Sequence, residues 1–265
     1  MRIGFVGGGK LAEAMISGLI QAGVAKADEI AVSDIDPTRR KLLKQRFSVS
    51  ATPDNFKAVI SSDVVILAVK PNVLLPVLRE LDKTVTAKLV ITVAAGIPIS
   101  RVESGLPEGT RVVRAMPNIN CAVRESCTAL CAGTHAGERD MKVAEAIFGA
   151  VGMTFRVEEG KMDAVTALSG SGPAYAFVFI EALSDAGVLH GLPRSEATRM
   201  AAQTLLGAGK MVLQSGLHPA ELKDRVCSPG GTTIAGIKAL EDGAFRAAAM
   251  RAISEAHRRS KELSL

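Results

Sequence analysis

The feature that most constrains the fold of this 265-residue chain is a series of short, continuously apolar runs in its first part. The runs are RIGFV, EIAVS, DVVILAV, KLVITVA and RVVRAM, and segments of helical spacing such as Lys10–Gln21 and Pro71–Leu81 separate them. Because these runs do not alternate between polar and apolar residues, they predict strands that are covered on both faces. Strands of this kind alternating with helices predict a parallel sheet with helices on either side.

The pattern changes towards the C-terminal half. SCTALCA and MTFRV, separated by a helical pattern over Arg139–Ala150, are predicted to extend the sheet at one edge. After about Gly160 the strand signal stops. Pro173 opens a run that is apolar nearly all round, which is typical of a buried central helix. We therefore predict an α/β fold with a parallel-sheet domain over residues 1–160 and an all-helical domain over residues 161–265.

Composition narrows the function classes. The aromatic content is 3% with no Trp, so the chain has few platforms for stacking bases, and a net charge of +5 suits small anionic ligands better than nucleic acid. We see no secretory signal and no apolar run near the ~20 residues of a membrane span. The four cysteines and four histidines lack metal-ligand spacing. We expect free thiols, no metal, no membrane or nucleic-acid partner, and a cytoplasmic location.

A glycine turn follows the first apolar run directly. Gly7, Gly9 and Ala12 match the GxGxxA spacing between a strand and a helix, the context in which this motif binds a dinucleotide. Gly7 permits the tight turn, Gly9 lets the backbone approach a diphosphate, and Ala12 allows the helix to pack on the sheet. The motif predicts a Rossmann-type cofactor domain. A structural turn without a ligand is the alternative.

The residues after the second run leave the choice of dinucleotide open. Asp34 stands where an acidic residue bonds the ribose of NAD and repels a 2′-phosphate. Ser33, Asn55 and either Arg39 or Arg40 could instead bond and neutralise that phosphate. We expect NADPH to be preferred, with NADH possible.

A second candidate anion site lies in CSPGGTTIAG, Cys227 to Gly236. Glycines and hydroxyl residues leading into a helix leave backbone N–H groups available to an anion. With a dinucleotide in the first site, the second would hold a substrate carboxylate. The alternative is that Thr232 and Thr233 only cap the helix.

Several motifs together resemble the pyrroline-5-carboxylate reductase family over the full length of the chain. They are SPGGTTIAGIKALE, LSGSGPAY, AVKP, AAG and RAMPN, of which the SPGGTT string is the most specific. The resemblance implies reduction of the C=N bond of 1-pyrroline-5-carboxylate to L-proline by hydride from NAD(P)H. It also implies that Gly230, Gly231, Thr232 and Thr233 hold the carboxylate, that the Thr233 hydroxyl reaches the ring nitrogen, and that Ser171 is a secondary substrate contact.

The predicted cofactor contacts combine the glycine turn with residues at the ends of later strands. They are Gly7, Gly8, Gly9, Lys10, Leu11, Ser33, Asn55, Ala68, Val69, Lys70, Pro71, Ala95, Gly96 and Asn118. The sequence departs from the family pattern at Ile119–Asn120, where a Thr-Pro often stands, and at Ile35, where many bacterial relatives carry Arg. Arg39 or Arg40 would substitute for the latter.

Two other functions share this layout. β-Hydroxyacid dehydrogenases join a dinucleotide domain to a helical one, but they need a lysine near the start of the central helix, and residues 169–183 contain none. A non-catalytic NADP(H) sensor is the other alternative.

Independently of the function, the apolar helix after Pro173 predicts self-association through the C-terminal helices, as a dimer or a higher oligomer.

Overall fold

The structure is a computed structural model that describes residues 1–264, without the side chains of residues 82, 83 and 264. It divides into two compact units. The sheet unit comprises Met1–Ser171 together with the residues from Ala256 onward, and the helical unit comprises Gly172–Glu255. The functional boundary expected between residues 160 and 161 remains a prediction.

One sheet organises the sheet unit. Within the described chain its strands are β1 Ile3–Val6, β2 Ile30–Ser33, β3 Ser50–Thr52, β4 Val64–Leu67, β5 Leu89–Thr92, β6 Arg111–Met116, β7 Ser126–Ala132 and β8 Gly152–Arg156. Their spatial order is β3-β2-β1-β4-β5-β6-β7-β8. Neighbours run parallel except β6 and β7, which are antiparallel with Val113 opposite Ala132. This order is the doubly wound arrangement, which reverses direction next to β1.

Helices cover both faces of the sheet. In the sheet unit they are α1 Lys10–Gln21, α2 Pro37–Phe47, α3 Asn55–Val59, α4 Pro71–Leu81, α5 Ile99–Glu103, α6 Glu138–Gly149 and α7 Met162–Val165. Two apolar cores result, one on each side of the sheet. Strands β1, β4 and β5 are buried at every position, as their continuously apolar sequences predict.

Most of the predicted elements are confirmed. The bounds of α1 and α4 match the predictions, and α6 begins one residue earlier than expected. Strands β7 and β8 do extend the sheet at one edge. Strand β3 is one of the elements that the sequence patterns did not predict. It has three residues and a mixed polar composition, and its pairing with β2 at the sheet edge defines it.

Many large apolar side chains of the helical unit are exposed. Its helices are α8 Gly172–Leu189, α9 Arg194–Ser215, α10 Pro219–Val226, α11 Thr232–Asp242 and α12 Phe245–Ser264, the last of which continues into the sheet unit. The expectation that α8 is a buried helix is wrong for a single chain. Pro173 and Ser184 are its buried residues, whereas Phe177 is 57% exposed and Val178 is 65% exposed. The described residues of one chain therefore leave much of the apolar surface of α8 uncovered.

Candidate active site

The turn after β1 requires its glycines for different reasons. Gly7 has φ +100°, and a Cβ there would lie 2.6 Å from the carbonyl oxygen of Ala68. Gly9 has φ −67° and faces open space, so a side chain there would fill the volume above the turn. Gly7 is therefore required by the fold, whereas Gly9 leaves room for a ligand.

The N-terminus of α1 offers backbone donors to that space. Gly9 is the N-cap residue, and no side chain of the described residues caps the helix. Lys10, which is exposed, and Leu11, which is half-buried, form its first turn. Uncapped N–H groups at the positive end of a twelve-residue helix fit the diphosphate of a dinucleotide.

The other predicted cofactor contacts lie along the same edge of the sheet. Ala68 and Val69 follow β4, Ala95 and Gly96 follow β5, and Asn118 follows β6. Because β1, β4, β5 and β6 are consecutive neighbours and parallel, their carboxyl ends line one side of the sheet. Lys70 and Pro71, at the start of α4, are exposed there. The structure thus brings these residues to the crevice where doubly wound sheets bind ligands.

Ser33 and Asn55, two of the predicted cofactor contacts, are hydrogen-bonded to each other. Ser33 is fully buried, and its hydroxyl lies 2.5 Å from Asn55 Oδ1 and 3.3 Å from the Phe5 carbonyl. The Asn55 amide in turn donates to Glu80 at 2.9 Å. In this arrangement the two side chains bond each other and their surroundings, and their contact with the cofactor stays a prediction.

Asp34 is bound to the glycine turn. One of its carboxylate oxygens accepts the Gly8 N–H at 2.7 Å, and the other accepts the Asp36 N–H at 2.8 Å. A residue expected to contact a ribose therefore also fixes the turn that precedes α1. Its negative charge stays beside the crevice.

The two neighbouring arginines differ in their partners. Arg39 donates to the Gly8 carbonyl at 2.8 Å and forms an ion pair with Glu13 at 2.8 Å. Arg40 donates to the backbone carbonyls of Asp34 and Ile35. No carboxylate in the described part of the chain pairs with Arg40, so its charge is the one available to a phosphate at the end of β2.

Glu13 is a functional candidate that the sequence analysis missed. It is 7% exposed, and it pairs with Arg39, Arg46 and Lys10. Burial by itself raises its pKa, but the hydrogen bond from Arg39 and the three positive charges lower the pKa below its ordinary value. Through Arg39 this carboxylate is connected to the backbone of the glycine turn. An acidic residue in the first turn of a helix is common, so the sequence carried no specific signal for this role.

The second candidate anion site lies at the start of α11 in the helical unit. Gly230 has φ +67°, which favours glycine, and a Cβ at Gly231 would collide with the Ser228 side chain. Gly231 is the N-cap of α11, and no described side chain caps the helix. Thr232 and Thr233 are the first two helical residues, so the capping alternative is wrong for both. The half-buried Thr233 hydroxyl bonds no other group among the described residues.

Ser171 directly follows an irregular turn in the sheet unit. Thr166–Gly170 is a π-turn, and the Ser171 N–H donates to the Thr166 carbonyl at 2.9 Å. The π-turn could not be predicted from the residues alone, since small residues before a proline also fit an ordinary helix start. Single π-turns within helices are frequently found at functional sites.

Residues 1–264 contain no group of three or more His, Cys, Asp or Glu side chains placed to hold an ion. The four cysteines are free thiols. Burial raises the pKa of Cys121 and Cys131, which keeps both in the neutral form.

Comparison with known proteins identifies the family. Residues 2–96 match the family model described as NADP oxidoreductase, coenzyme F420-dependent, and residues 159–263 match the one described as pyrroline-5-carboxylate reductase dimerisation. The pyrroline-5-carboxylate reductase of Methanosarcina acetivorans is 49% identical over 263 residues, which span 99% of this chain and 97% of that protein. The chain belongs to the pyrroline-5-carboxylate reductase family.

Other pyrroline-5-carboxylate reductases agree in sequence and in fold. The Synechocystis enzyme is 44% identical, over 99% of this chain and 98% of its own. The solved structure of the Coxiella burnetii enzyme has a TM-score of 0.94 at 37% identity, covering 100% of this chain and 98% of that one. The Plasmodium falciparum enzyme, solved with NADP bound, has a TM-score of 0.90 at 30% identity, covering 100% and 98%. The predicted fold class is therefore confirmed.

One segment of the described chain has the length and composition of a membrane-spanning helix. It is Glu159–Leu189. The most apolar stretch of this segment has a mean hydropathy of 1.2, and 11% of that stretch is buried in the structure. Length and composition alone are weak evidence for a membrane span, because the apolar core helices of soluble proteins have the same length and composition. In this family the segment falls at the start of the dimerisation region, which accounts for an apolar exposed surface.

Proposed function

We propose that this protein reduces 1-pyrroline-5-carboxylate to L-proline, the last step of proline biosynthesis, using NADPH. The observation that carries the proposal is the full-length similarity to enzymes named for this activity. The oxidoreductase class agrees with the crevice at the carboxyl ends of β1, β4, β5 and β6, where doubly wound sheets bind dinucleotides.

The helical unit supplies the groups for the substrate. The N–H groups at the start of α11 bind the substrate carboxylate, since they have no capping side chain and carry the positive end of the helix dipole. The Thr233 hydroxyl oxygen accepts the N–H of the protonated ring nitrogen. A hydroxyl group has a pKa far above 7, so Thr233 orients the imine and does not act as its acid. Ser171 is the secondary contact.

The sheet unit holds and orients the cofactor. NADPH supplies the hydride that the imine carbon accepts, and the uncapped start of α1 binds the cofactor diphosphate. Arg40 binds the 2′-phosphate, because no described carboxylate neutralises its guanidinium group. The remaining predicted contacts, Ala68, Val69, Lys70, Pro71, Ala95 and Gly96, line the crevice. NADH is a weaker alternative cofactor.

The test is a turnover assay with both cofactors. Purified protein is mixed with pyrroline-5-carboxylate and either NADPH or NADH, and the loss of reduced-cofactor absorbance is followed together with the formation of proline. We expect turnover with both and a higher kcat/KM with NADPH. Binding of NADPH without turnover would instead identify a sensor, and equal or better turnover with NADH would remove the role of Arg40.

We also propose that the protein is a cytoplasmic homodimer, or a higher oligomer built from dimers. Support comes from the dimerisation region over residues 159–263 and from the exposed apolar residues of α8 and α9. The four free thiols agree with a reducing compartment.

A further inference from the structure

Asn118 uses its whole amide group inside the sheet unit. It lies two residues after the end of β6 and is 9% exposed. Its Oδ1 accepts the Asn120 N–H at 3.0 Å, and its Nδ2 donates to the carbonyl oxygen of Ser169 at 2.9 Å. Its own backbone N–H donates to Ser126 Oγ at 3.2 Å. Both ends of the side chain are therefore engaged with protein groups.

The partner of Asn118 is a carbonyl group that the helix itself cannot satisfy. Ser169 belongs to the π-turn Thr166–Gly170, and α8 begins two residues after that turn ends. In a continuous α-helix the Ser169 carbonyl would accept the N–H of residue 173. That residue is Pro173, which has no N–H. A carbonyl group without a partner is costly when it is shielded from water, and the Asn118 amide supplies the missing donor.

We propose that Asn118 is a positioning residue, which fixes the π-turn that precedes Ser171 against the end of β6. The proposal rests on the proposed function, because Ser171 is the predicted substrate contact that directly follows this turn. The hydrogen bond from Nδ2 sets where the Ser171 backbone lies relative to the crevice. In this proposal Asn118 acts on the imine through Ser171 as a positioning residue. The direct cofactor contact predicted from the sequence stays an untested prediction.

Substitution can isolate the donor of this bond. Asn118→Asp keeps the size of the side chain and the acceptor for Asn120, but its carboxylate cannot donate to Ser169. We expect KM for the imine to rise about tenfold, the loss of one hydrogen bond, while the dissociation constant for NADPH stays within about twofold. Ser169→Ala is the matched control, because it removes only a hydroxyl that bonds Val165 and leaves the carbonyl in place.

A second variant restores the bond in another way and guards against a simple folding defect. Pro173→Ala returns an N–H to the position that the Ser169 carbonyl requires. In the double variant Asn118→Ala with Pro173→Ala, we expect KM for the imine to return to within about threefold of wild type, whereas Asn118→Ala alone stays impaired. A merely structural asparagine would give additive losses in the double variant.

Hydrogen exchange tests the proposal without reference to activity. The Ser171 amide is protected by the Thr166 carbonyl, so exchange of a peptide spanning residues 166–171 reports on the turn. We expect faster exchange in Asn118→Asp, wild-type exchange in Ser169→Ala, and recovery in the double variant. Unchanged exchange in Asn118→Asp, with or without weaker NADPH binding, would overturn the proposal. An inactive wild type would refute the proposed function while leaving this exchange test intact.

Discussion

At the scale of single residues, hydrogen-bond partners separate the polar groups of the candidate site into two classes. The side chains of Ser33, Asn55 and Asn118 are hydrogen-bonded to other protein groups. The Thr233 hydroxyl and the charge of Arg40 have no such partner among the described residues and are available to ligands. Mutation of a residue in the first class is expected to change the geometry of the site. Mutation of a residue in the second class is expected to change ligand binding or the chemical step.

Thr233 is expected to affect the chemical step. Its contact strengthens as the ring nitrogen carries positive charge, so Thr233→Ala should lower kcat by about 5- to 150-fold, the equivalent of about 1–3 kcal/mol. Thr233→Ser keeps the hydroxyl and should retain most of the activity. Because the side chain at position 233 does not cap α11, the melting temperature of both variants should stay near that of wild type. A normal kcat for Thr233→Ala would remove this residue from the mechanism.

Arg40 is expected to select the cofactor. Arg40→Gln keeps an amide donor for the carbonyls of Asp34 and Ile35 but removes the charge. KM for NADPH should rise by about fivefold to tenfold, the value of roughly 1 kcal/mol for a partly solvated charge pair, with little change for NADH. The exposed neighbour provides the control Lys41→Gln, which should alter neither constant. An equal rise for both cofactors would argue for a role in the loop alone.

Glu13 is expected to stabilise the sheet unit in a pH-dependent manner. Its pKa in the folded protein lies below the ordinary glutamate value of about 4.5, so its contribution is present above that pH and is lost as the pH falls through the lowered pKa. Glu13→Gln should cost about 1–3 kcal/mol in free energy of unfolding at pH 7, and this difference should shrink below pH ~4.5. Denaturant unfolding across pH measures it. The exposed Glu108 provides the control Glu108→Gln, and a pH-independent difference would contradict the assignment.

At the scale of elements, the turn between β1 and α1 combines a structural glycine with a functional one. Gly7→Ala places a Cβ against the Ala68 carbonyl at φ +100°, and it should lower the free energy of unfolding by about 1–3 kcal/mol or more. Gly9→Ala adds a methyl group in open space at an ordinary φ, so it should fold normally and weaken NADPH binding instead. Melting temperature and cofactor titration, run on both variants, separate the two roles. Equal stability losses would contradict the distinction.

The sequence predicts elements whose signal is local and misses those that depend on neighbours. Strands β1, β4 and β5 are continuously apolar, and the glycine turn has fixed spacing, so both could be predicted. Strand β3 exists because β2 leaves an edge to pair with. The π-turn at residues 166–170 depends on the donor from Asn118, which lies 51 residues from Ser169 in the chain. Likewise the hydrogen bond between Ser33 and Asn55 joins residues that are 22 positions apart, which the sequence pattern alone does not reveal.

At the scale of the whole molecule, the exposed apolar helices predict that a single chain is incomplete. Light scattering at micromolar concentration should give a mass of at least twice the 27.7 kDa of one chain. Phe177→Glu places a charge on the exposed apolar surface of α8 and should shift the mass towards the monomer. Ile60→Glu, at a comparably exposed apolar position in the sheet unit, is the control and should leave the mass unchanged. A monomeric wild type would overturn the predicted assembly.

Helix α12 leaves the helical unit and continues into the sheet unit, where Ser260 Oγ donates to Asp163 at 2.6 Å. The sheet unit is therefore discontinuous along the chain, with the helical unit inserted into it. During translation the ribosome produces all of β1–β8 early, yet the contribution of α12 to their unit arrives only after residues 172–255 have been made. Until then the nascent sheet unit lacks its segment from α12, while the apolar helices of residues 172–255 are being synthesised. Such a chain is most exposed to misassembly and to chaperone capture in that interval.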